Sequence, residues 1–158
     1  MDTSVTIIGL VLTLIIAIPL FYSMRSSSIN KAKIKAIKNK FSQNNRFNFE
    51  ITETQNKKVL ALDEKNKGFL LMDFNAKEEV VSFVDLNTIQ SCKLIPTTEI
   101  TSGIILKFEF EFHYKGGEKA DYLSFYKIEN DQIGQVCLYE DHQLAKKWTK
   151  MIQNCITI

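Results

Sequence analysis

Between Asp2 and Arg25 lie 22 consecutive residues, Thr3 to Met24, without a single charge. As a helix this run rises ~33 Å, enough to cross a hydrocarbon core ~30 Å thick. Its centre, Val5 to Ile18, lacks the polar face that a helix at the surface of a soluble core shows. The hydroxyls of Thr6 and Thr13 can bond back to helix carbonyls. Pro19 falls in the last turns, where a kink is tolerated, and Phe21 and Tyr22 fall where interfacial aromatics belong. A cleaved signal peptide needs basic residues before a shorter apolar run, and a lipoprotein signal needs a following Cys; neither pattern is present. The sequence therefore predicts a retained transmembrane helix over residues 3–24.

Charge sets its orientation. Residues 1–46 hold seven basic side chains (Arg25, Lys31, Lys33, Lys35, Lys38, Lys40, Arg46) against Asp2, all seven after the apolar run. The positive-inside rule then places the amino terminus outside and the rest of the chain in the cytoplasm, at the inner (cell) membrane. Cys92, Cys137 and Cys155 are odd in number and show no C-x-x-C spacing, so they read as buried small hydrophobes in a reducing compartment. Two Pro and six Gly in 158 residues, with 45% hydrophobic residues, exclude collagen-like, disulfide-scaffold and disordered classes.

Residues 25–46 read as a basic juxtamembrane helix or linker. Within it Ile34, Ile37 and Phe41 recur at helical spacing, and Lys31, Lys33, Lys35, Lys38 and Lys40 occupy much of the remaining circumference. Those five lysines are the candidate contacts to an anionic bilayer surface, each worth ~1 kcal/mol close to the headgroups. A solvated linker whose charge only fixes topology is the equal alternative.

From Phe47 the period changes to alternation. Phe47, Phe49 and Ile51 alternate with polar residues as an opening strand. Val59–Leu62 and Phe69–Phe74 flank a polar turn ending at Gly68, and Val80–Val84 follows, then Ile89–Ile95, ending at Pro96. Leu106, Phe108, Phe110, Phe112 and Tyr114 alternate with Lys107, Glu109, Glu111 and His113, and Gly116-Gly117 predicts a two-residue type I′ hairpin. That register sets Phe110 opposite Leu123, Phe108 opposite Phe125, Lys107 opposite Tyr126, Glu109 opposite Ser124 and Phe112 opposite Asp121. Leu144, Ala145, Trp148, Met151, Ile152 and Cys155 form the apolar stripe of a last helix, begun by an Asp141 cap or earlier, near Asp131. Trp148 is expected to plug the core.

The hairpin Leu106–Phe125, the pair Phe125-Tyr126 and the terminal Leu144-Ala145-Lys146-Lys147-Trp148 with Ile152 resemble the pleckstrin-homology-like domains of small single-pass bacterial membrane proteins. The likeness covers residues 47–156, within a domain drawn over residues 47–158. It implies a mainly β fold: a seven-stranded antiparallel sandwich or barrel capped by a C-terminal helix. It also implies a binding or scaffolding module without catalytic residues. Such folds host many functions, so the residues themselves must be searched. His113 reads as solvated, and His142 as a neighbour of a helix cap. Glu109 and Glu111 share a strand face without an evident third ligand for a metal. No hydrolase, metalloprotease, phosphate-loop or dinucleotide motif is present, and the acidic domain disfavours nucleic acid. Lys57, Lys58, Lys65 and Lys67 offer loop cations but no arginine fork for a phosphate. The expectation is a membrane-anchored, non-catalytic interaction module with a membrane or cytoplasmic protein partner and no cofactor. A lipid- or small-ligand-binding domain, with its site inside or at the mouth of the sandwich, is the alternative.

Overall fold

The computed structural model describes residues 13, 15–17, 31–42, 46–75, 79–99, 103–117, 119–128 and 138–157. The chain divides into two compact units, Met1–Lys40 and Phe41–Ile158. In the first, Thr13 and residues 15–17 are helical, with Ile15 and Ile16 exposed. The rest of the predicted membrane span lies outside the described residues. No helix among the described residues is long and apolar enough to cross a membrane. Residues 31–41 are helical (α1), as the uninterrupted lysine-isoleucine pattern requires.

The second unit is mainly β with a C-terminal helix. Among the described residues, seven strands form two antiparallel sheets. The first contains β1 (Ile51–Gln55), β2 (Lys58–Asp63), β3 (Gly68–Asp73) and β4 (Val80–Asp85), and the second β5 (Ile89–Thr98), β6 (Ile105–Tyr114) and β7 (Ala120–Lys127). Both sheets follow chain order, as short hairpin connections dictate. A single 3₁₀ turn, Leu86–Thr88, joins them; Asp85 caps it by accepting from the Asn87 N–H. Helix α2 (Leu138–Thr157) closes the unit and packs chiefly against β5. Its stripe buries Leu144, Ala145, Trp148, Ile152 and Cys155, as its helical spacing predicts. Trp148 is fully buried, 6.0 Å from the Phe69 ring.

Four local expectations are corrected. Phe47 and Phe49 are buried and alternate with exposed residues, but the strand itself begins only at Ile51. The Phe47 N–H turns to the Ser42 carbonyl instead of a ladder partner. Strand β5 runs through Pro96 to Thr98. Proline fits there because β5 is an edge strand, where an N–H pointing away from β6 has no ladder bond to lose. Around Gly116-Gly117 the predicted register holds for Phe110–Leu123, Phe112–Asp121 and Glu109–Ser124, yet the loop is wider than two residues. Only Gly116 of the two takes a positive φ, and the Lys115 N–H is drawn to the Thr88 carbonyl at 2.9 Å. Beyond Glu109 a bulge shifts the register, so Phe108 faces Tyr126 and Lys107 faces Lys127. The extra residue lets Phe125 and Tyr126 both stack on Phe108, at 5.7 and 5.0 Å.

Candidate functional site

Helix α2 meets the first sheet beside β1, and there the polar side chains gather. Glu53 and Gln55 from β1 and Tyr139, Glu140, Gln143 and Lys147 from α2 line an open groove of about 480 Å³. Lys147 Nζ bonds both oxygens of Glu53 at 2.9 Å, and the Trp148 indole N–H donates to Glu53 Oε2 at 2.7 Å. Burial pushes the Glu53 carboxyl up, but these two donors and the Lys147 charge together hold it below its ordinary value. The indole thus keeps its body in the core and its one polar atom satisfied at the groove wall. Tyr139 is 72% exposed.

Behind the groove lies a buried ion pair. Asp141 is 0% exposed, and its Oδ2 accepts from Lys58 Nζ at 2.9 Å while Oδ1 accepts from Asn56 Nδ2 at 2.8 Å. The Lys58 ammonium also lies 5.6 Å from the centre of the Phe125 ring, a cation–π distance. Asp141 is therefore no cap: it sits inside the first turns of α2, where an acid also suits the helix dipole. Lys58 is no loop cation either, since β2 begins with it and buries it. The sequence hides both, because lone charges in polar stretches carry no signal of being partners 83 residues apart.

The other loop lysines serve the turns. Asn56 and Lys57 both take left-handed φ, 48° and 58°, and form the two-residue turn between β1 and β2. Lys67 does the same at φ 59°, and its carbonyl accepts from the Leu86 N–H at 2.8 Å. Asp63, 3% exposed, takes N–H bonds from Asn66 and Asn48. Burial raises its carboxyl, but these bonds outweigh it and leave it below the usual range.

His142 packs on Phe108 at 5.4 Å, and burial, with Lys146 adding to it, lowers its pKa. His113 Nε2 lies 3.0 Å from Glu111 Oε2, off the line a hydrogen bond needs. Tyr122 donates to the other Glu111 oxygen at 2.8 Å, the chief reason that carboxyl falls below its ordinary value. Glu109 pairs with Lys107 at 2.8 Å. Glu109 and Glu111 are thus engaged with neighbours on the outer face of the second sheet. Among the described residues no group of three or more His, Cys, Asp or Glu is placed to hold a metal. Cys92 and Cys155 are buried free thiols. Burial pushes Cys92 up to about 12 and also raises Cys155; Cys137 lies outside the described residues.

On α1 the 3.6-residue turn puts Ile34, Ile37 and Phe41 in one strip. Lys31, Lys35 and Lys38 flank it on one side, and Lys33 and Lys40 on the other. Four of the five lysines are exposed; Lys38 is half-buried, and burial lowers its pKa. Phe41 is claimed by the β unit, its ring 5.9 Å from Phe83.

No family model matches the chain, and neither a curated protein nor a solved structure is significantly similar to it.

Proposed function

We propose that this protein is a single-pass anchor at the inner membrane that presents a pleckstrin-homology-like domain to the cytoplasm as a non-catalytic interaction or scaffolding module. The observation that carries the reading is the charge-free run Thr3–Met24 followed by seven basic residues between Arg25 and Arg46. Retention of those residues in the cytoplasm fixes which compartment the folded unit meets. Lys31, Lys33, Lys35 and Lys40 add attraction to anionic headgroups within about a Debye length, ~8 Å in physiological salt. Two antiparallel sheets in chain order, of four and three strands, with a helix closing one end, support the pleckstrin-homology-like reading.

A C-terminal fluorescent protein that matures only in the cytoplasm will glow, and a C-terminal alkaline phosphatase will be inactive. The reverse pair of results would place the domain outside and end the cytoplasmic reading. Crosslinking in native membranes followed by mass spectrometry will return a reproducible protein partner. The groove beside β1 and α2 favours the second reading, a lipid or small ligand held at the mouth of the sandwich. A lipid that co-purifies after mild extraction, with no protein crosslinked, selects it over the first.

A further inference from the structure

We propose that Lys58, Asp141 and Asn56 form a polar key that decides where α2 seats on the sheets, without adding stability over an apolar contact. Lys58 and Asp141 are both taken out of water, with side-chain exposures of 8% and 0%. Their attraction is offset by the cost of desolvating two charges, so apolar residues of similar volume hold such a site as well or better. What an apolar contact does not supply is direction. The stripe of α2 repeats at helical spacing through Leu144, Trp148, Ile152 and Cys155. A helix with such a stripe keeps an apolar face on the core when it slides by one turn, ~5.4 Å.

The bonds of Asp141 end that freedom. A one-turn slide breaks the bonds to both Lys58 and Asn56 and leaves the Lys58 ammonium buried without its counter-charge, a strongly unfavourable state. The receiving side of the key is itself held in place. Asn56 occupies the left-handed turn at φ 48°, and its carbonyl accepts from Asn75 Nδ2 at 2.7 Å. The Glu53–Lys147 bridge also ties β1 to α2, but Lys147 is 57% exposed, where water replaces a lost partner at small cost. A slide also breaks the Trp148–Glu53 and Gln153–Cys92 bonds, but the buried Lys58–Asp141 pair, with half-buried Asn56 beside it, adds the penalty of a stranded charge.

Trp148 is the only tryptophan, so its indole N–H gives one resonance for one seat of α2. The full chain in detergent micelles, labelled with ¹⁵N-tryptophan, is compared with Asp141→Leu and with the pair Lys58→Met/Asp141→Leu. Asp141→Leu alone will lower Tm, because Lys58 loses its counter-charge. The paired variant will regain the wild-type Tm or exceed it. Its indole signal will split into two or more, and amide exchange over residues 138–145 will quicken roughly tenfold or more. A paired variant with one indole signal at the wild-type position and wild-type exchange overturns the key. So does a paired variant that melts as early as Asp141→Leu or fails to fold, since the ion pair would then be supplying stability.

Discussion

The two sheets use opposite designs. In the four-stranded sheet β2 is buried at every residue and β3 at five of six. Leu60, Leu62, Phe69 and Leu71 face the shared core, and Val59, Ala61, Leu70 and Met72 on the other face are buried as well. In the three-stranded sheet β6 alternates: Phe108, Phe110 and Phe112 are buried, while Glu109, Glu111 and His113 lie on a half-open face. The primary sequence mirrors the difference. Val59-Leu60-Ala61-Leu62 and Phe69-Leu70-Leu71-Met72 are unbroken apolar runs, whereas Phe108 to Tyr114 is a strict alternation. An unbroken run in an antiparallel sheet thus signals that a second layer will cover it. Phe47 and Phe49 supply part of that layer, with Phe47 5.0 Å and Phe49 6.3 Å from Phe83.

Breaking the core common to both sheets has the largest expected effect. Trp148→Ala removes the largest fully buried side chain and should cost about 3–5 kcal/mol, enough to unfold most small domains. Urea denaturation followed by circular dichroism measures it. A variant that keeps wild-type stability would mean that α2 does not close the core through this residue.

The outer layer of the first sheet is tested next. A Cβ on Gly68 would lie 2.5 Å from Phe47 Cδ1, so Gly68→Ala should cost about 1–3 kcal/mol by overpacking. Gly68→Ala combined with Phe47→Leu should recover part of that loss, because the ring that clashes is gone. No recovery in the double-mutant cycle would show that Gly68 matters for another reason.

Asp63 fastens the same layer, since Asn48 lies between Phe47 and Phe49 and donates its N–H to the Asp63 carboxylate. Asp63→Ala removes the carboxylate that accepts from the Asn48 and Asn66 N–H groups and should cost about 1–3 kcal/mol. The depressed pKa of Asp63 gives a pH dependence of definite sign. Its contribution is present above the unfolded value, ~3.9, and is lost as pH falls through the lower folded value. The acid limb of the stability curve of Asp63→Asn should therefore be flatter than that of the wild type.

The open face of the second sheet should tolerate the same kind of change. Tyr122→Phe removes the hydroxyl that Glu111 accepts, yet Tyr122 is 58% exposed and the loss should not register in denaturation. Spectrophotometric titration reads this contact better. The Glu111 bond raises the Tyr122 pKa above its ordinary value. The hydroxyl's contribution is present below pH ~10 and is lost as pH rises through the folded value. Glu111→Gln should bring that tyrosine titration back down; an unchanged titration would mean that the bond does not persist in solution.

Much of this architecture is written in residues that act locally. Alternation marks β6, polar clusters ending in Gly mark the hairpins, and the spacing from Leu144 to Cys155 marks the face α2 buries, because period and propensity are properties of neighbours in the chain. The charge-free run and the lysines after it are equally local, and on them the membrane reading rests. Tertiary structure decided what depends on partners far along the chain. It carried β5 through Pro96 by making β5 an edge, and it inserted the bulge that seats Phe125 and Tyr126 on one Phe108 ring. Gly68 looks like a turn residue in the sequence, yet the folded chain requires it to admit the Phe47 ring. Lys58 looks like a loop cation and Asp141 like a helix cap until the fold buries them against each other. The physical reason is the same in each case: burial and contact depend on which distant surfaces meet, and one-dimensional patterns do not encode that meeting.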